Sequence, residues 1–190
     1  KWVGQKIIFT VKPHQLKTFP IIKSVHSYIH SVNRIPLIRI YAKYNTGKNG
    51  VWFKGMHRTT TDSFLRHIIP INEATGLIMI SYTDDKDTKV YFKNNKLLAT
   101  SVIKAKIHKE VCALFPNKSI PKPTYFKCHL WTEGVHFWKK NADSKKIFKK
   151  ILQPRKNIFI CGEGFSLNQA WIEGALDTSD RVIELINKFA

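Results

Sequence analysis

Asn157-Ile158-Phe159-Ile160-Cys161 is a short apolar run of strand length. It opens the C-terminal stretch NIFICGEGFSLNQAWIEGALDTSDRVIELINKFA, residues 157–190, around which the rest of the chain is organised. Gly162-Glu163-Gly164 reads as a tight turn. From about Ala170 the pattern becomes helical. Ile172, Leu176, Val182, Leu185, Ile186 and Phe189 are compatible with one buried face, and the charges fall mostly elsewhere. A buried strand therefore meets a glycine turn and hands over to a helix.

That arrangement has a chemical use. A helix N-terminus offers unpaired N–H groups and about half a positive charge. It suits a phosphate or the electron-rich carbonyl edge of a ring. A carboxylate in the strand-end turn suits the hydroxyls of a sugar chain. Gly-Glu-Gly by itself fits any strand-turn-helix of an α/β domain.

The whole stretch is more specific. Phe159-Ile160-Cys161-Gly162-Glu163, a polar loop, then Trp171-Ile172-Glu173-Gly174-Ala175 and a helix resembles the C-terminal signature of the flavin-containing amine oxidase family. The resemblance implies that Gly162 and Glu163 lie by the sugar-alcohol chain of FAD. It implies that Ile172 and Gly174, at the helix start, face the flavin pyrimidine, and that Trp171 stacks near the substrate amine.

The resemblance extends upstream. Trp131-Thr132-Glu133-Gly134-Val135-His136 matches a family segment with an aromatic, a glycine and then the first wall of an aromatic cage. His136 takes the wall position opposite Trp171, and Trp131 joins the cofactor-binding set. Val135 stands where some members carry a flavin-linking cysteine, so the resemblance implies non-covalent FAD. Leu37 to Tyr44 reads as a strand with Arg39, Tyr41 and Lys43 on one face and Ile38, Ile40 and Ala42 on the other. The family's lysine near the flavin falls on Arg39, which keeps the charge but cannot deprotonate. The catalytic set implied is Arg39, His136 and Trp171.

The other elements follow from pattern. Lys6 to Val11 is a strand ended by Pro13, and Gln15 to Tyr28 is a connection with a short helix over Ser24 to Val32. Val51-Trp52-Phe53 reads as a return strand. Phe64 to Ile71 and Gly76 to Thr83 form a hairpin, and Thr83 or Asp84 caps a following helix. Asp84 to Phe115 reads as two helices broken near Asn94-Asn95, with Leu97, Val102, Ile103, Ile107, Val111 and Leu114 as the core stripe. Tyr125 to Trp131 is a strand, and Asn141 to Lys150 a lysine-rich amphipathic helix. Trp138 is assigned to core packing.

The predicted fold class is α+β. A substrate-binding domain, residues 19–147, has a mixed or antiparallel sheet with helices on one side. Residues 1–18 supply one strand of an FAD-binding α/β domain, and residues 148–190 its C-terminal strand-turn-helix. No G-x-G-x-x-G follows a strand, so an N-terminal FAD-binding segment outside this chain is the implied partner. The opening Lys1 reads as the start of a fragment.

Composition bounds the rest. The chain has 190 residues with 43% hydrophobic content, enough for one good core. Its net charge of +19 leaves a nucleic-acid partner open. The lysines are spread along the length without a basic tail, and abundant Lys, Ile and Asn favour coding bias over nucleic-acid binding. Cys112, Cys128 and Cys161 have no C-x-x-C spacing and predict free thiols in a reducing, cytoplasmic setting, with no metal site. No apolar run has membrane-spanning length, so no membrane is expected. The expected reaction is oxidation of a small amine with release of hydrogen peroxide. The rival is a cofactor-free, strongly basic structural or nucleic-acid-associated protein that kept the fold. An isomerase or desaturase of the same superfamily is a third reading, which the amine-type cage disfavours.

Overall fold

The structure is a computed structural model that describes residues 4–188. In chain order its elements are β1 (Ile7–Phe9), α1 (His26–Ile29), β2 (Val32–Lys43), β3 (Thr59–Thr60), β4 (His67–Asn72) and β5 (Leu77–Asp84). They continue with β6 (Phe92–Lys93), β7 (Lys96–Leu97), α2 (Thr100–Leu114), β8 (Tyr125–Trp138), α3 (Ser144–Ile151), β9 (Ile158–Ile160) and α4 (Ile172–Lys188). The class is α+β, with an antiparallel sheet ordered β3-β4-β5-β2-β8 and a separate two-stranded pair of β1 and β9.

Two compact units divide the chain. One comprises residues up to Arg34 together with those from Val135 onward; the other is Ile35–Gly134. The outer unit thus reaches well beyond the expected boundaries at 18 and 148. Its extra residues include short 3-10 turns over Pro13–Thr18 and Pro20–Val25. They bury Leu16, Ile22 and Val25 in the same cluster as Phe9, Ile147, Ile158 and Phe165. Where a bare connection was expected, Pro13 and Pro20 each start a turn, as proline's fixed φ favours.

In the outer unit β1 and β9 pair in parallel, Ile7 opposite Ile158 and Phe9 opposite Ile160. All three residues of β9 are buried, as its unbroken apolar run requires. On α4 the buried residues are Gly174, Thr178 and Val182, with Leu185 and Ile186 partly buried beside Val182, so the expected stripe holds in the C-terminal half of the helix and fails at its start. Ile172 and Leu176 are exposed at 76% and 57%, so they correct that assignment, and Phe189 lies outside the described residues. The small residues let the helix lie close to the loop before it, which pushes the larger apolar side chains outward. On α3, Ile147, Phe148 and Ile151 are buried and the Asp143 carboxylate accepts from the Lys146 N–H at 3.0 Å.

In the inner unit β2 buries Ile38, Ile40 and Ala42, as its alternation requires. These pack with Phe53, Ile68, Ile78, Ile80, Tyr91, Ile103, Ile107 and Val111. The hairpin of β4 and β5 forms as expected. Val51-Trp52-Phe53 is a turn, not a strand, and plugs Val51 and Phe53 into the core. Asp84 ends β5 and pairs with Arg66 instead of capping a helix, while Thr83 is buried within the strand.

The first of the two expected helices is replaced by a 3-10 turn over Asp85–Tyr91 and the hairpin of β6 and β7. Asn94 and Asn95 both adopt left-handed φ, 50° and 59°. That is the geometry of a two-residue type I′ turn, which Asn tolerates and other side chains resist. On α2, Ile103, Ile107 and Val111 face the core, whereas Val102, and Leu97 of β7, are exposed. The helix stops at Phe115, before Pro116.

Candidate functional site

The strand-turn-helix of the outer unit is built on three side chains. Gly162, at φ 135°, follows β9 in a conformation that a β-carbon would strain. Its N–H donates to Thr178 Oγ1 at 2.9 Å, which ties the turn to the second turn of α4. Thr178 also donates to the Ala175 carbonyl at 2.9 Å. Sequence reasoning missed Thr178; a hydroxyl one turn beyond Gly174 on the inward face is its only signal.

Glu163 does the most joining. Its Oε1 pairs with His136 Nδ1 near the end of β8, and its Oε2 accepts from the Ala170 N–H at 2.9 Å. Ala170 sits at φ 69° directly before Trp171. One carboxylate therefore holds both the histidine and the residue that launches Trp171. His136 is 5% exposed, with its Nε2 buried and lacking a hydrogen-bond partner. Trp171 is 69% exposed at the helix start.

The intervening loop is pinned as well. Gln169 Nε2 donates to the Gly164 carbonyl at 2.6 Å, and Trp138 Nε1 to the Ser166 carbonyl at 3.0 Å. Trp138 is half-buried against Phe165, in agreement with a packing role. At Gly174 an added β-carbon would lie 2.1 Å from the Asn168 carbonyl oxygen and 2.3 Å from Ser166 Oγ. The loop folds so closely over the helix start that only glycine fits there.

Of the expected site residues, His136, Gly162, Glu163, Trp171, Ile172 and Gly174 fall in the outer unit, and Arg39 and Trp131 in the inner one. Within the inner unit the Arg39 guanidinium lies 4.8 Å from the Tyr82 ring centroid and 5.8 Å from that of Trp131. Trp131 stacks on His129 at 5.9 Å, and His129 meets Tyr41 edge-on at 5.8 Å. Trp131, on β8, is 37% exposed. This row of rings around one cation covers the sheet face opposite Ile38 and Ile40. The alternation of β2 points to its Arg39 and Tyr41, but the partners on β5 and β8 needed the strand order.

The three cysteines are free. Cys112 Sγ lies 3.9 Å from His108 Nε2, one turn earlier on α2. Burial pushes the Cys128 thiol above its ordinary range. Among the described residues no cluster of His, Cys, Asp or Glu could hold a metal ion, and no helix is long and apolar enough to cross a membrane.

No family model matches the chain. A segment of 71 residues, 36% of the chain, is 30% identical to the uncharacterized protein R188 of Acanthamoeba polyphaga mimivirus. That segment spans 13% of the viral protein, so the similarity covers a small part of either partner.

Proposed function

We propose that this chain is the C-terminal portion of an FAD-dependent amine oxidase. One observation carries the reading: the segments that resemble that family converge on one carboxylate. Glu163 of the Gly-Glu turn bonds His136 from the aromatic-Gly segment and Ala170 beside the Trp-x-Glu-Gly-Ala segment. His136 lies 27 residues before Glu163 and Ala170 seven after it, so it is the reach to His136 that joins distant parts of the chain.

The residues fit the edge of a flavin. A β-carbon at Gly162 would meet nothing within 4 Å, so the turn borders open space, and Trp171 and Ile172 stand exposed beside it. Gly162, Glu163, Ile172 and Gly174 would flank the ring and its sugar-alcohol chain, held without a covalent bond. When bound, FAD would accept a hydride from the amine carbon and pass the electrons to dioxygen. Amine, dioxygen and water would then give aldehyde, ammonia and hydrogen peroxide.

The chain's own residues position rather than react. Glu163 fixes the ring of His136 and the launch point of Trp171. The exposed Trp171 face offers an apolar, π-rich wall to a neutral amine. Arg39 supplies a fixed positive charge between two aromatic rings and cannot serve as a base. A separate N-terminal segment would supply the pyrophosphate site.

The test is peroxide release by the full-length gene product with excess FAD, assayed across monoamines, polyamines and amino acids. The expected result is flavin absorbance and turnover of one amine class, with Trp171→Ala lowering kcat/KM at least tenfold. A colourless protein silent on all amines overturns the proposal.

A second reading has an observation of its own. The row of Tyr82, Arg39, Trp131, His129 and Tyr41 on an open sheet face, in a chain of charge +19, suits stacking of nucleic-acid bases. Salt-sensitive binding of single-stranded nucleic acid by flavin-free protein, lost in Trp131→Ala, would favour it.

A further inference from the structure

The helix that closes the outer unit is apolar on two sides. Gly174, Thr178 and Val182 bury its inner side. A second apolar line runs along the outside, where Ile172, Leu176 and Ile183 all stand more than half exposed. Single exposed apolar residues are ordinary on a protein surface. These three are not scattered. With Ser179 between them they repeat at steps of four, three and four residues, which keeps all four side chains within about 60° of one another around an α-helix. Ile186, three residues further on, joins the line where it meets the core cluster of Val182. Alternate steps of four and three residues make the seam through which two helices interlock, side chain into gap.

One flank of that seam is acidic. In a protein of net charge +19, α4 holds four of the chain's 13 Asp and Glu residues: Glu173, Asp177, Asp180 and Glu184. Asp177 is committed to Arg181, whose Nε donates to it at 2.9 Å and whose guanidinium lies 5.2 Å from the Phe148 ring centroid on α3. Glu173, Asp180 and Glu184 have no ion-pair partner among the described residues, although the chain carries 32 Lys and Arg. By helical spacing these three lie within about 40° of one another, along one edge of the seam. In paired helices the charges beside the seam choose the partner. The partner this face fits is therefore a helix with an apolar seam of its own and Lys or Arg beside it. A second copy of this chain does not fit. Antiparallel α4 helices would set the two acidic rows against each other, and parallel ones would leave both rows facing Ala175 and Val182.

We propose that the outer face of α4 docks a basic amphipathic helix of a partner protein, with Ile172, Leu176, Ser179 and Ile183 as the seam and Glu173, Asp180 and Glu184 as the row that selects its charge. The small Ser179 leaves room at the middle of the seam for a large apolar side chain of the partner. Its hydroxyl already donates to the Ala175 carbonyl at 2.8 Å, so covering it strands no polar group. The inference stands apart from the oxidase reading. Only Ile172 is common to both, and the positions that decide this one, Leu176, Asp180, Ile183 and Glu184, lie beyond the helix start.

Fluorescence anisotropy of labelled synthetic helices, titrated with the 190-residue chain, provides the test. One peptide of about three heptads carries leucine along its seam and lysine on both flanks. A second differs only in having glutamate in place of that lysine. A chain of charge +19 attracts acidic peptides without specificity, so a preference for the lysine peptide reports the acidic row and not the bulk charge. The expected result is saturable one-to-one binding of the lysine peptide, at least tenfold tighter than that of the glutamate peptide. The double substitution Leu176→Ser with Ile183→Ser should weaken it at least tenfold, and Asp180→Lys with Glu184→Lys should reverse the preference. Should the serine variant fail to fold, the charge reversal and the peptide pair decide alone. Equal or tighter binding of the glutamate peptide by the unsubstituted chain overturns the proposal, as does an affinity indifferent to either double substitution. Two further results overturn it by naming another occupant: self-association in sedimentation that the serine variant abolishes, or binding to phosphatidylcholine vesicles lost in the same variant. Lysine-peptide binding by protein that takes up no FAD keeps this inference and counts against the oxidase reading; FAD uptake without peptide binding does the reverse.

Discussion

Gly174 shows how much one missing atom can matter. Its position on α4 faces the Asn168 carbonyl and the Ser166 hydroxyl at distances no methyl group tolerates. Gly174→Ala should therefore cost about 1–3 kcal/mol by overpacking, although alanine favours helix elsewhere. A lowered midpoint in urea denaturation is the expected reading. Tyr91 is a second case. It is fully buried, and its hydroxyl donates to Ser81 Oγ at 3.0 Å, while Ser81 donates to the Leu65 carbonyl at 3.1 Å. Burial, ahead of any other cause, raises its phenol well above the ordinary value, against the lowering effect of the Ser81 bond. Because the folded value lies above the unfolded one, this group's contribution to stability is complete below about pH 10 and fades as pH rises beyond it. Tyr91→Phe should remove part of the late-rising phenolate absorbance in a base titration, at a cost of about 1 kcal/mol.

At the scale of elements, the hairpin of β6 and β7 separates what is legible from what is not. Lys96 to Phe115 has helical periodicity for most of its length, and α2 duly forms with Ile103, Ile107 and Val111 inward. Its neighbour Asp85–Lys93 looks helical by composition, yet consecutive asparagines at positive φ turn the chain back on itself. The asparagines were visible as a break; the handedness of their backbone was not. Asn94→Ala should lower stability by about 1–2 kcal/mol, because alanine pays the left-handed penalty in full. Asn95→Gly should hold stability or raise it slightly, since glycine suits the second turn position. Urea midpoints of the two variants, moving apart, would check this. The strands read from unbroken apolar runs, β5 and β9, appear where their sequences place them, and β2 does so from Leu37 onward but starts earlier, at Val32, where no alternation marks it.

At the scale of the whole molecule, pairing was legible in part. The parallel match of β1 with β9 follows from two outer segments each offering an apolar strand. The partners of Glu163 were not legible. Nothing in Gly-Glu spacing says that one oxygen of the carboxylate will reach an imidazole and the other the N–H of Ala170. Such convergence depends on loops and 3-10 turns, whose paths carry little periodic signal. The apolar side chains on the outer surface of α4, Ile172, Leu176 and Ile183, are likewise a product of packing, since small residues claim its inner face.

The order of strands in the sheet carries one more implication. The chain enters the inner unit through β2 and leaves it through β8, and these two strands are neighbours. Near the exit, a β-carbon on Gly134 would fall 2.3 Å from that of Leu37, close to the entrance. The Ile35–Gly134 body is thus a loop with its two ends pinched together, the arrangement of a cassette. Such a piece can be lifted out by genetic excision and closed with a short linker, or exchanged for another of equal mouth width, without asking the flanking stretches to span a new gap.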